Sequence, residues 1–245
     1  MLAIIGGSGL TRLASLQATR RKVARTPYGK PSGALTFGRI GAKKVVFLAR
    51  HGDRHTIAPH EVNYRANLWA LKKAGVDTVV SVASVGGIAN LRPGMLVVPH
   101  QLIDYTWGRA STFSQGPASP VTHIDFTEPY SAALRKRLLQ AAAACRETVV
   151  DGGVYAATQG PRLETAAEIN RLERDGADIV GMTGMPEASL ARELGLQYAA
   201  IAVVANAAAG RADSAHAVAL ERIGAILDEA MGRVRRILEK LSEAA

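Results

Sequence analysis

The stretch LQYAAIAVVANAAAGRAD, residues 196–213, decides how the rest of the chain is read. Its apolar and β-branched run up to Ala205 reads as a central strand, buried on both faces. The run stops at Asn206. Three alanines, Ala207 to Ala209, then lead to Gly210, Arg211 and Asp213. One amide at the end of a buried strand, surrounded by small residues, leaves room for a ligand and gives it something to bond to.

Working outward, the remaining segments alternate strand and helix. LAIIGG near the N-terminus reads as a strand ending on glycines, and residues 34–50 read as a hairpin turning at Gly41. Residues 62–74 show helical spacing, stopped by Gly75, and DTVVSVAS reads as a buried strand closed by Gly86 and Gly87. GMLVVP is a further short strand. Residues 131–145 read as an alanine-rich helix, GGVYAAT as a strand, residues 165–174 as a helix and ADIVGMT as a strand. Pro186 opens a helix to Leu194, and a long amphipathic helix spans His216 to Leu241. The expected fold is a three-layer α/β/α domain over the whole chain, with a central mixed twisted sheet flanked by helices. In such folds ligands sit at the C-terminal ends of strands. Polar singletons cluster there: Ser8, Arg50, His51, Ser84, Gln159, Thr183 and Asn206.

Composition narrows the function classes. With 245 residues, 48% hydrophobic, the chain can bury a substantial core. It has no repeat, no Pro/Ser tract and no apolar run long enough for a membrane helix. The apolar run at the N-terminus is too short for a signal peptide, so a cytoplasmic location is expected. Cys145 is the sole cysteine, which excludes an internal disulfide and a cysteine metal site. The net charge of +9 permits nucleic acid or a small anionic substrate. Aromatics at 5%, with none interleaved among the basic clusters, weigh against nucleic acid. The segment 104–129, rich in Ser, Thr, Gly and Pro, is long for a compact domain and reads as functional or as an interface.

Two motifs invite stronger readings and fail them. GGSGL has Arg12 where a dinucleotide fingerprint needs glycine and Leu10 where a nucleophile elbow needs one. What remains is a glycine turn whose amides suit an oxyanion such as phosphate. RHGDRHTIAPHE carries His51, Asp53 and His55, yet Tyr64 stands where the zincin pattern needs histidine. Arg50 and His51 at a strand end fit a cationic fork beside a hydrogen-bond donor for an anion. A surface arginine with a capping histidine is the plain alternative.

Four blocks carry a resemblance: IIGGSGL, LARHGDRHTIAPHEVNYRANLWALKKAGV, GPRLET and GMTGMPEASLARELGLQYAAIAVVAN. Together, and in this order, the chain resembles the trimeric purine nucleoside phosphorylase and methylthioadenosine phosphorylase superfamily. The resemblance implies cleavage of an N-glycosidic bond by inorganic phosphate, without metal or organic cofactor. It implies phosphate held by Ser8, Arg50, His51 and Thr183 with amides near Ser84, ribose along Met182, and Leu163 against the base. Ala83 replaces a threonine common in the family, and Leu163 a phenylalanine. His123 matches a histidine that reaches the neighbouring subunit's site, which implies a homotrimer.

The histidine-rich block is similar to the methylthioadenosine branch. That branch reads 6-aminopurines with an Asp-x-Asp pair, where this chain has Asn206 and Ala208. Glu164 stands where the inosine/guanosine branch has its base-reading glutamate. The resemblance therefore implies phosphorolysis of 5′-methylthioinosine to hypoxanthine, with Asn206 and Glu164 as the catalytic base readers. An inosine/guanosine phosphorylase and a methylthioadenosine phosphorylase are the near alternatives. A metal-dependent hydrolase on His51, Asp53 and His55, or a nucleoside-binding module, are the distant ones. His216 faces either a 5′-hydroxyl or solvent.

Overall fold

A computed structural model describes residues 1–116 and 120–243. Three residues of the long segment, 117–119, lie outside the described residues. Among the described residues, eleven strands form one mixed sheet. Its spine is β1 (Leu2–Gly6), β5 (Thr78–Gly87) and β11 (Gln197–Ala207), all parallel. β3 (Leu35–Ile40) and β4 (Lys43–Ala49) form the expected hairpin, and β4 runs parallel to β1. β2 (Gln17–Lys22) covers the outer edge of β3. On the other side lie β6 (Leu96–Val98), β7 (Gln101–Asp104), β8 (Val149–Asp151), β9 (Val154–Ala157) and β10 (Ile179–Gly181).

The alternating pattern of β11 assigns the two helix layers. Ala199, Ile201, Val203 and Ala205 pack with α2 (Ala132–Ala144) and α5 (Leu220–Glu243). Ala200, Ala202 and Val204 pack with α1 (Tyr64–Lys73) and α4 (Gly184–Glu193). Each large aliphatic side chain so buried contributes about 1.5–3 kcal/mol, and a one-residue slip would reverse both faces. The sheet is thus held in register under the loops that carry the site. Side-chain caps set helix starts: Asn63 accepts from the Ala66 amide and Ser131 from the Leu134 amide. Thr165 and Glu168 form a capping box on α3 (Ala166–Arg174).

β5 is longer than expected, running through Gly86 and Gly87. Its first residues pair with β1, Leu2 to Ile5 against Thr78 to Ser81. Its last two, Gly86 and Gly87, pair with β10 in the antiparallel sense. Along this one edge the C-terminal ends of β1 and β10 therefore point toward each other, leaving Val82 to Val85 between them. A second irregularity faces this gap. The β11–β5 register shifts between Val204 and Asn206. Such a bulge re-aims side chains beside it.

Candidate active site

A cavity of about 450 Å³ opens in this gap. One wall holds Gly7, Ser8, Arg50, His51 and Ser84. Facing them are Met182 and Thr183, just past β10, with Leu163 and Glu164 from the loop before α3 and Asn206 from β11. Nine of the ten residues expected at the site thus line a single cavity. The tenth, His123, is exposed and does not line the cavity of its own chain.

The glycine-turn end is built by close approach. A β-carbon on Gly7 would stand 2.6 Å from the Val82 carbonyl oxygen and 2.8 Å from Arg50 Nη1. Only glycine lets the turn lie so near the guanidinium. The turn closes through one bond, Leu10 N–H to the Gly7 carbonyl at 3.0 Å. The Ser8 and Gly9 amides have no backbone partner among the described residues, so they remain available to an oxyanion. Ser8 Oγ lies 2.8 Å from His55 Nε2.

Arg50 is fully buried, and its fork does not point free into the cavity as the sequence suggested. Nε donates to Glu187 Oε2 at 2.8 Å and Nη2 to Glu187 Oε1 at 3.0 Å. Nη2 also donates to Ser81 Oγ at 2.6 Å, and Nη1 to the Val82 carbonyl at 2.9 Å. A guanidinium has five N–H donors. One, on Nη1 beside Gly7, has no partner among the described residues. Arg50 thus offers an anion a fixed charge and one aimed hydrogen. Glu187, itself held by the Tyr198 hydroxyl at 2.9 Å, neutralises the rest.

His51 also departs from the expected role. Its Nδ1 stands 2.8 Å from the Ile57 carbonyl oxygen, which only accepts, so Nδ1 carries the proton. Burial, and then the neighbouring Arg50 charge, push the ring down from 6.5 to about 4. At neutral pH the imidazole is uncharged and Nε2 is an acceptor. In this state Nε2 can accept a hydrogen bond from a hydroxyl and has no hydrogen to donate to an anion.

The opposite end is built from single local bonds. Asn206 Nδ2 donates to the Ala207 carbonyl at 2.7 Å. A carbonyl cannot donate, so this contact fixes the amide's orientation. It leaves Oδ1 and a second Nδ2 hydrogen uncommitted among the described residues. Glu164 Oε1 accepts from Thr158 Oγ1 at 2.6 Å, and Oε2 has no partner among the described residues. Ala205, Ala208 and Ala209 line the wall beside Asn206, which is the room anticipated from the sequence. Met182 is seated by Gly160, where a β-carbon would stand 2.4 Å from the methionine sulfur. Leu163 is 39% exposed at the rim.

Other expectations move. Gln159 does not line the cavity; its Oε1 accepts from the Trp107 amide and from Arg109 Nε. His216 precedes α5, which starts at Leu220, and the histidine lines a neighbouring cavity instead. Asp53 turns to Arg21 at 2.5 Å. Among the described residues no group of three or more His, Cys, Asp or Glu side chains could hold a metal ion.

Three residues escaped the sequence reading. Glu187 is one; the signal was a single acid in the otherwise apolar MPEASLA, all of it buried. Arg109 is the second. It donates to the carbonyls of Met182 and Met185 at 2.8 and 2.6 Å, and to those of Gln159 and Thr158 at 2.8 and 3.2 Å. Thr158 is the third. No local pattern marks these last two.

The family model described as "Phosphorylase superfamily" matches residues 1–243. The chain belongs to the phosphorylase superfamily. It is 53% identical over 244 residues to a Pseudomonas syringae pv. tomato protein named "Probable S-methyl-5′-thioinosine phosphorylase", covering 99% of this chain and 98% of that one. It is 45% identical over 215 residues to the "6-oxopurine nucleoside phosphorylase" of Pyrococcus furiosus, covering 85% and 80% of the two chains. Among solved structures, methylthioadenosine phosphorylase from Schistosoma mansoni in complex with adenine superposes with a TM-score of 0.92 at 36% identity, covering 99% and 91%. A phosphorylase cavity must hold an oxyanion and a leaving base at once. The glycine turn with Arg50 and the bulge with Asn206 stand on opposite walls of this cavity.

Proposed function

We propose that this phosphorylase cleaves S-methyl-5′-thioinosine with inorganic phosphate, giving hypoxanthine and 5-methylthioribose 1-phosphate, a step of purine salvage. The observation that carries this reading is the amide–carboxylate couple of Asn206 and Glu164 on one cavity. An ionised carboxylate only accepts. Hypoxanthine offers it N1–H, whereas adenine offers a lone pair. Sites that read a polar edge in this way discriminate by about 10⁴–10⁵-fold. Asn206 donates its free Nδ2 hydrogen to O6 and accepts at Oδ1 from N7–H.

The reaction is a displacement at C1′. The bond from C1′ to N9 breaks, and its electron pair goes to the purine. A phosphate oxygen bonds C1′ from the opposite face, and the proton that the hydrogen phosphate gives up reaches the purine at N7 through water. Phosphate lies against the Ser8 and Gly9 amides, Ser84, Thr183 and the free Arg50 hydrogen. His51 Nε2 accepts from a hydroxyl of phosphate or sugar. The Asn206 contact strengthens as charge grows on the base, so it acts in the transition state more than before it. Holding both substrates in line supplies much of the remainder. The mechanism uses neither metal nor organic cofactor.

The 5′ substituent is read from what remains. Ile57, Pro59, Val218 and Ile223 give the cavity an apolar wall, and His216 is not among its lining residues. That wall favours a methylthio group over a hydroxyl. The working unit is a cytoplasmic homotrimer whose interface includes segment 104–129, with His123 directed to the neighbouring site. Trp107 and Val121, 72% and 75% exposed in the single chain, are apolar side chains suited to such burial.

The test is phosphate-dependent release of base from methylthioinosine, inosine and methylthioadenosine side by side. Methylthioinosine is expected first, inosine second, and methylthioadenosine far behind. Asn206→Asp combined with Ala208→Asp should move preference toward adenine. Turnover of methylthioadenosine equal to that of methylthioinosine in the unaltered enzyme would sink the base-reading argument. Base release without phosphate, abolished by chelators, would point to a hydrolase.

A further inference from the structure

We propose that Thr158 is a positioning residue that sets base discrimination by holding the Glu164 carboxylate in one orientation. The inference rests on the base-reading role of Glu164 proposed above. Thr158 follows β9, and its backbone is held on both sides. Its N–H donates to the Gly181 carbonyl at 2.8 Å, and its own carbonyl accepts from Arg109 Nη2 at 3.2 Å. The hydroxyl has one hydrogen and two acceptors within reach: Glu164 Oε1 at 2.6 Å and the Gly181 carbonyl at 3.3 Å. The shorter contact lies in the range of a hydroxyl donating to a carboxylate, which is about twice as strong as a neutral bond. The hydrogen therefore goes to Glu164.

This bond is the only one Glu164 makes among the described residues. The adjacent cation, Arg162, is committed to both oxygens of Glu168 at 2.8 and 2.7 Å. Glu164 itself is half-buried in a loop, where an untethered glutamate samples several rotamers. With Oε1 tied, Oε2 is left as the acceptor for the base. Thr158 does not line the cavity, so its effect on the substrate runs through Glu164. A threonine at the end of a strand thereby turns a mobile acid into an aimed one. The strand end, in turn, is anchored by Arg109 from the long segment.

The experiment compares Thr158→Val, which keeps shape and removes the hydroxyl, with Thr158→Ser, which keeps the hydroxyl. Glu164→Gln runs in parallel. For Thr158→Val the KM for methylthioinosine should rise about tenfold, the scale of one lost hydrogen bond to a charged group. The preference over methylthioadenosine should shrink by a similar factor, while kcat and the KM for phosphate stay near wild type. Thr158→Ser should restore both. A merely structural threonine would alter phosphate and nucleoside binding together. Unchanged discrimination in Thr158→Val, beside a loss in Glu164→Gln, would overturn this inference and leave the base-reading role intact. No effect in Glu164→Gln would instead remove that role. Should valine disturb folding, a crystal of the wild-type enzyme with hypoxanthine decides the question. Glu164 bridging Thr158 and N1 is the expected result, and Thr158 turned away from the carboxylate would overturn the inference.

Discussion

At one wall of the cavity, Arg50 is wholly buried and gives four hydrogen bonds to protein partners, two of them to a buried carboxylate more than a hundred residues away. At the other, Asn206 and Glu164 are each half-buried and make one bond apiece, to a neighbour or near neighbour in sequence. The first arrangement belongs to the core, and the second to the bulged end of β11 and the loop before α3. A change at the glycine-turn wall should be felt as lost stability. A change at the bulge wall should be felt as altered specificity in a fold that still stands. The two walls therefore have separable failure modes.

The largest effect is expected from Glu187→Ala. It leaves the Arg50 charge buried with its main partner gone, a loss on the order of 3–5 kcal/mol. At about 2–4 °C per kcal/mol for a chain of this size, Tm should fall by roughly 10 °C or more. Replacing both partners, Arg50→Met with Glu187→Leu, should recover most of that loss, because no unpaired charge remains. The double variant should nonetheless show no phosphate-dependent turnover. A Glu187→Ala protein that melts like wild type would mean the core does not depend on this pair, and the contrast between walls would collapse.

A smaller effect concerns His51. Its folded value of about 4 lies below the ordinary 6.5, first through burial and then through Arg50. Between these values the unfolded chain takes up a proton that the native ring refuses. Stability is then full above about pH 6.5 and declines as pH falls toward 4, by at most about 3 kcal/mol. Thermal melts across this window should show that decline. In His51→Asn, whose amide can still donate to the Ile57 carbonyl, the gap from wild type should narrow as pH falls. Parallel curves would show that the ring is not held neutral, and the acceptor role of Nε2 would go with it.

The sequence displayed one of these walls more clearly than the other. Val203 to Asn206 could be read directly, because a buried strand that stops at an amide is a local pattern. The hairpin at Gly41 and the helix stopped by Gly75 were legible for the same reason. β2 was not, since all six of its residues are exposed and show no alternation. β7 and β8, four and three residues long, are too short for any periodicity. Gly86 and Gly87 read as a strand end, yet the partner strand β10 continues the pairing there. Arg50 was visible as a cation, but its commitment to Glu187 was not, since no pattern links positions 137 residues apart. The same limit hid Arg109, and it placed Gln159 at the site when its side chain serves that arginine.

Arg109 is where the separation of phosphate binding from base binding should break down, and Arg109→Lys tests this at the smallest expected cost. Its guanidinium serves Met182 and Met185, which flank Thr183, together with Thr158, which holds Glu164. A lysine is a point charge with no planar fork, so it cannot satisfy these carbonyls at once. The site is half-buried, and water can cap the carbonyls that lose a partner, which limits the loss to about 1–2 kcal/mol. That energy should appear as a roughly tenfold fall in kcat/KM. The decisive feature is its distribution. Because one side chain supports both the proposed phosphate contact at Thr183 and the base reader Glu164, KM for phosphate and KM for the nucleoside should rise together, unlike in Thr158→Val. A rise confined to the nucleoside would show that Met182 and Thr183 stand without the arginine, and phosphate and base binding would then be independent even at this shared anchor.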